Sequence, residues 1–144
     1  VCSSDLEMQL PLSVHVRESG EETLCLLRKY AGKRLRAVIH SFTGDENMAK
    51  KFLTLGEDVY LGVNGIITFK KSESLRAVLK QVVPLNKIVI ETDSPYLSPV
   101  PYRGRRNESA YVVEVLRKLS EIYEKTVDEV EKITNNNAKM LFFT

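Results

Sequence analysis

KIVIETDSPYL, residues 87–97, is an apolar run that stops at Thr92 and Asp93 and turns at Ser94 and Pro95. It reads as a strand whose C-terminal end carries a carboxylate, the place where α/β folds keep their chemistry. The pattern occurs twice upstream, where LSVH at 12–15 and AVIH at 37–40 each close on a lone histidine. His15 and His40 lie 25 residues apart, and His40 and Asp93 lie 53 apart. Those intervals are close to one and two βα repeats of about 25 to 30 residues. The three side chains are therefore expected to point into one mouth.

Working outward, strands are expected over 12–16, 35–40, Val59–Val63 and 87–92. Between them fall a helix over 21–31 with Leu24, Leu27 and Tyr30 on one stripe, and a helix from a cap at Asp45 to about 55. Gly32 and Gly56 are read as the stops of these two helices. A third, Glu73–Val82, follows a cap at Ser72. The order β-α-β-α-β-α-β, with every connection helical, means a parallel sheet with right-handed crossovers. A proline- and arginine-rich loop, 93–107, follows the fourth strand. Three helices close the chain, over about 108–123, from Val127 after a Thr126 cap, and over 138–143. Alternation along the strands groups Asp93 with Glu91 and Val89, His40 with Val38, and His15 with Ser13 and Arg17, on the face away from the helices.

The chain has 144 residues, 43% hydrophobic and 28% charged, which suits one globular core. Its formal charge of +2 is too small to argue for nucleic acid or membrane by itself, so any basic footprint must be local. Cys2 and Cys25 make no disulfide framework and no metal-ligand spacing, and a reducing cytoplasm is the expected compartment. No apolar run approaches the roughly 20 residues that span a bilayer. VCSSDL, residues 1–6, is what a common sequencing-adapter string encodes in frame. Residues 1–6 are therefore read as an artefact and 7–144 as the domain.

Six stretches together carry a resemblance: HVRES around His15, HSFTG around His40, GVNGIITFK at 62–70, ETDSPYL at 91–97, YRGRRNESAYV at 102–112 and NAKMLF at 137–142. The chain resembles the TatD family of metal-dependent deoxyribonucleases, within the amidohydrolase superfamily. The resemblance implies an α/β fold, the C-terminal half of a (β/α)8 TIM barrel, with strands five to eight and the C-terminal helices. It implies that His15 and His40 hold one of two divalent metal ions (zinc, magnesium or manganese). Asp93 would bind the other and position the attacking water. The family's HxH pair and bridging glutamate have no counterpart in this sequence. The chain is thus expected to need a missing N-terminal half as partner, and to be inactive or nearly so alone. DNA, single-stranded or at its ends, is the implied substrate.

Around that centre several residues have two readings. Glu91 either supports the metal site, accepting from Arg17 or from a metal-bound water, or forms a structural ion pair. Arg103, Arg105 and Arg106, with Tyr96 and Tyr102 beside them, suit phosphate oxygens and base stacking, or else make a solvated basic loop. Lys70 and Lys71 are similar candidates. Asn107 and Glu108 are expected to fix the loop to the next helix. Ser41 is not expected to be a nucleophile, and Cys25 is read as a small hydrophobe. Other readings are another amidohydrolase-superfamily hydrolase and a non-catalytic half-barrel that binds a partner through its sheet edge.

Overall fold

The computed structural model describes Met8, residues 10–31 and residues 35–143. Four parallel strands, β1 (Leu12–His15), β2 (Ala37–His40), β3 (Val59–Val63) and β4 (Ile88–Ile90), form one sheet in the order β1-β2-β3-β4. Three helices make the crossovers: α1 (Gly20–Arg28), α2 (Glu46–Leu53) and α3 (Glu73–Val82). Then come α4 (Val112–Tyr123) and α5 (Val127–Phe143). Because strand order follows chain order, every crossover steps the same way. One hand of crossover then puts α1, α2 and α3 on the same face.

That face holds the main core. Leu12 and Val14 of β1, Ala37 and Ile39 of β2, and Val59, Leu61 and Val63 of β3 pack there against Leu24 and Leu27 of α1, Phe52 of α2 and Leu79 of α3. These helical residues recur at three- to four-residue intervals, so each helix buries one stripe. Val38, Tyr60 and Val89 point to the opposite face, where Leu141 of α5 covers them. The strand alternation expected from sequence is thus realised for β2 and β4. Asn137, buried on the same helix, donates from Nδ2 to the carbonyls of Leu85 (3.0 Å) and Ile88 (2.7 Å). Those bonds tie α5 to the entry of β4.

Several local expectations shift. The fourth strand is shorter than 87–92, because a 3-10 turn at Leu85–Lys87 leads into it and the chain leaves extended geometry before Asp93, whose φ is +59°. The two helices expected after Thr126 are one, since nothing in NNNAKM breaks the hydrogen-bond ladder. Its start is a reciprocal cap: Thr126 N donates to Glu129 Oε2 at 2.9 Å, and Glu129 N to Thr126 Oγ1 at 3.3 Å. Asp45 caps α2 by accepting from Met48 N at 2.8 Å, whereas Ser72 precedes α3 without a side-chain cap bond. Cys25 is exposed and is not a core hydrophobe. Gly32, Cys2 and the 1–6 segment lie outside the described residues.

The fold expectation itself needs correction. What is observed is an open, singly wound sheet of four strands in which β1 and β4 do not pair with each other. The described residues give an open parallel α/β sheet in place of a barrel half. No described helix is long and apolar enough to cross a membrane.

Candidate metal centre

Parallel pairing puts His15 and His40 in register as direct neighbours, with ring centroids 5.5 Å apart and planes tilted by 40°. Asp93 arrives from two strands away. Glu91 extends β4 by one backbone bond, its N–H donating to Val63 O at 2.9 Å. The chain then turns through the left-handed region at Asp93, one of the few non-glycine residues that adopt it without great strain. Ser41, directly after His40, is left-handed too, at φ +51°. Non-glycine residues at positive φ are costly and gather where surrounding structure fixes a functional group.

The centre is organised about His40. Its Nδ1 lies 2.9 Å from Glu91 Oε2, and its Nε2 lies 3.1 Å from Asp93 Oδ1. The other oxygen of Glu91 accepts from Ser41 N at 2.6 Å, which anchors the carboxylate on the backbone that carries the histidine. Ser41 Oγ in turn accepts from the buried Asn64 Nδ2 at 2.8 Å, and Asn64 Oδ1 caps the turn after β3 by accepting from Ile66 N at 3.1 Å. Gly62, on β3 between the two, leaves the room this needs: a Cβ there would sit 2.8 Å from Glu91 Oε2. Burial alone would lower the His40 pKa. The hydrogen bond and charge of Glu91, with those of Asp93, outweigh it and hold the imidazole above its ordinary value.

The donor types suit a divalent cation, since imidazole nitrogen and carboxylate oxygen are ligands that zinc, manganese and magnesium accept. His40 Nε2 and Asp93 Oδ1 converge on one point. Glu91 on the far nitrogen completes the carboxylate–histidine arrangement that orients metal-binding imidazoles. The donors fit in kind but not in number: among the described residues no group of three His, Cys, Asp or Glu side chains is arranged to hold an ion.

Other candidates separate. Arg17 is exposed and makes no bond to Glu91, whose partners are His40 and Ser41. Of the alternatives for Glu91, the Arg17 contact is not formed, because Arg17 lies beyond the end of β1. Arg103 stacks over Phe69 at 3.8 Å and donates to Ser98 O at 3.3 Å, a fixed position in the loop. Arg105 and Arg106 are exposed, as is Tyr96, which is 71% accessible. Tyr102 stacks on Tyr111 at 3.9 Å. Asn107, buried, pins the loop to the mouth by donating from Nδ2 to Thr92 O (2.7 Å) and Tyr96 O (2.6 Å), and it accepts from Glu108 N. Gly65 lets the same loop close on β3, because a Cβ there would meet Leu97 O at 2.3 Å. Sequence reasoning gave no role to Asn64, Gly62 or the Ser41 backbone. The only signals for them were the GVNG and HSFTG motifs.

Residues 4–143 match the sequence model described as TatD related DNase. An uncharacterized metal-dependent hydrolase of Buchnera aphidicola is 42% identical over 137 residues, 95% of this chain and 51% of that protein. The metal-dependent hydrolase YcfH of Escherichia coli K12 is 38% identical over 136 residues, 94% of this chain and 50% of that protein. Among solved structures, the TatD homolog YjjV from Escherichia coli superposes with a TM-score of 0.88 at 27% identity, covering 99% of this chain and 53% of that one. The chain spans about half the length of these relatives. Because the matches run through nearly the whole chain, 99% of it on the TatD homolog, the expectation of the C-terminal half of a (β/α)8 barrel is replaced by a parallel α/β sheet of this structural type.

Proposed function

The chain belongs to the TatD related DNase family, and from that premise we propose that it serves a divalent-metal-dependent phosphodiesterase acting on DNA, with His15, His40 and Asp93 as metal ligands. The observation that carries the reading is the imidazole of His40 held between two carboxylates, Glu91 on Nδ1 and Asp93 at Nε2.

An imidazole satisfies two flanking carboxylates only when both nitrogens donate, which requires the cation. Raising the pH removes one proton. Glu91, itself fixed by Ser41 N, keeps the proton on Nδ1, so the lone pair appears on Nε2 beside Asp93. The Nε2–Asp93 slot thus takes either a proton or a metal ion, and the two compete. When bound, a divalent ion lowers the pKa of water and offsets charge developing on phosphoryl oxygens. Asp93 accepts the proton or orients the water. His15, exposed beside His40, offers a second nitrogen. Arg105 and Arg106, exposed on the loop that Asn107 pins to the mouth, would contact backbone phosphates.

The test is hydrolysis of single-stranded DNA by protein loaded with manganese, magnesium or zinc, beside Asp93→Ala. We expect metal-dependent cleavage that falls on the order of 10²–10⁴-fold in the variant, the range for a group that handles the reacting proton. Equal rates in both, or cleavage that survives chelation, would contradict the assignment. A panel of amides and phosphomonoesters assayed alongside separates the nuclease from other metal-dependent hydrolases of similar fold.

A further inference from the structure

Next to His40, on the side away from Asp93's loop, the ends of β1 and β2 and the start of α2 enclose a cavity of about 300 Å³. Its walls are apolar, with Val16, Phe42, Met48 and Phe52, and its rim carries two carboxylates, Glu18 and Asp45. Apolar walls with a few placed polar groups are the usual anatomy of a small-molecule subsite. Two glycines keep these walls where they are. A Cβ on Gly44 would lie 2.8 Å from Phe42 Cε2 and 3.2 Å from Met48 Cβ, and one on Gly20 would lie 2.5 Å from Met48 Cε. Phe42 and Met48 are pressed against bare backbone, and a side chain at either glycine would drive them into the cavity.

Charge decides what fits. Among the described residues no lysine or arginine lines this cavity, whereas Lys70, Lys71, Arg103, Arg105 and Arg106 all sit on the loops after β3 and β4. Phosphate is therefore favoured on the β4 side and disfavoured here. An aromatic ring and a thioether favour a flat, polarisable ring. Asp45 uses Oδ1 to cap α2, and its second oxygen has no partner among the described residues. A carboxylate accepts hydrogen bonds only, so it recognises an exocyclic amine, whereas the single N–H on the thymine edge is flanked by two carbonyls that repel it.

We propose that this cavity is a nucleobase subsite that takes amine-bearing bases in preference to thymine and holds the base beside a phosphodiester at His40. The proposal rests on the nuclease reading and adds the base preference. Phe42, itself nearly fully buried, floors the site, Met48 closes over the base, and Asp45 selects the amine. The chain has three methionines, Met8, Met48 and Met140, so methyl-labelled methionine gives three separable reporters.

The metal-free protein is titrated with deoxyadenosine, deoxycytidine and thymidine while the three methyl resonances are followed. The Met48 methyl should shift saturably with the first two, with thymidine weaker by about tenfold, as one directional hydrogen bond provides. Met8 and Met140 should not move. Asp45→Asn keeps a capping acceptor and should reduce the discrimination to under about threefold. Gly44→Val should abolish the Met48 response. Absence of a Met48 shift with every nucleoside, or equal binding of thymidine, overturns the proposal whatever the variants do. Hydrolysis of bis(p-nitrophenyl) phosphate, which has no base, reports separately on the catalytic reading. Nucleoside binding without that hydrolysis would sink the nuclease assignment alone.

Discussion

The two ends of β2 show opposite ways of using a side chain. Ala37 and Ile39 are sealed against the helices with Phe52 of α2, aliphatic and aromatic surface with no polar demand. One residue further on, His40 keeps a partly exposed ring whose two nitrogens both meet carboxylates. The helix side is stable because its contacts are many and interchangeable in kind. The mouth is specific because its contacts are few, directional and mutually dependent, so losing one partner leaves another unsatisfied. Stability and chemistry therefore occupy adjacent positions on the same strand and should respond to mutation separately.

The largest expected effect is on the core. Leu79→Ala removes a fully buried side chain from the helix-side layer, away from the cavity beside His40, and should cost about 2–5 kcal/mol in denaturant unfolding. The His40 environment of the molecules that remain folded should be unchanged; a histidine ring spectrum altered along with stability would show that the two regions are not separable. Gly62→Ala is the converse. Its Cβ would crowd Glu91 at 2.8 Å, so the cost to stability should be only about 1 kcal/mol while the Glu91–His40 contact is displaced. An unchanged His40 pKa in that variant would break the link between Gly62 and the centre.

The smallest effect is in pH. His40 titrates above its ordinary value in the fold, so its favourable interactions contribute fully below the unfolded value of about 6.5 and fade as pH rises through the folded one. The metal-free protein should therefore lose up to about 1 kcal/mol across that window, a modest figure because the ring is partly solvated. His40→Asn should flatten the dependence in thermal melts from pH 5 to 8. Metal affinity should run the other way, rising with pH as the Nε2 proton is removed.

How far the sequence reading reached follows the same division. The parallel sheet, its strand order and the helix stripes were legible, because burial on one side of a helix or strand leaves a period in the sequence. So was the meeting of His15, His40 and Asp93, because polar residues that end apolar strands have few other reasons to be there. What could not be read was how Glu91 is used. Strand parity placed it below Asp93, but its partner is fixed by the left-handed turns at Ser41 and Asp93, which no alternation rule anticipates. Arg17, named as one of two alternative donors to it, lies elsewhere, exposed. Gly62 and Asn64 act through what they leave open and what they cap, and neither feature has a periodic signature. The open sheet, in turn, reflects only the strands present, which local periodicity counts correctly but cannot close.

The central claim is that Glu91 holds His40 as the Nδ1–H tautomer so that Nε2, beside Asp93, can take a metal ion. With only two histidines in the chain, nitrogen-15 labelling of their rings during a zinc titration tests it directly. The account predicts that His40 Nε2 shifts on metal binding while Nδ1 stays protonated, and that Glu91→Gln weakens zinc binding about 10- to 100-fold. Zinc binding that leaves His40 Nε2 unmoved, or equal affinity in Glu91→Gln, would contradict it.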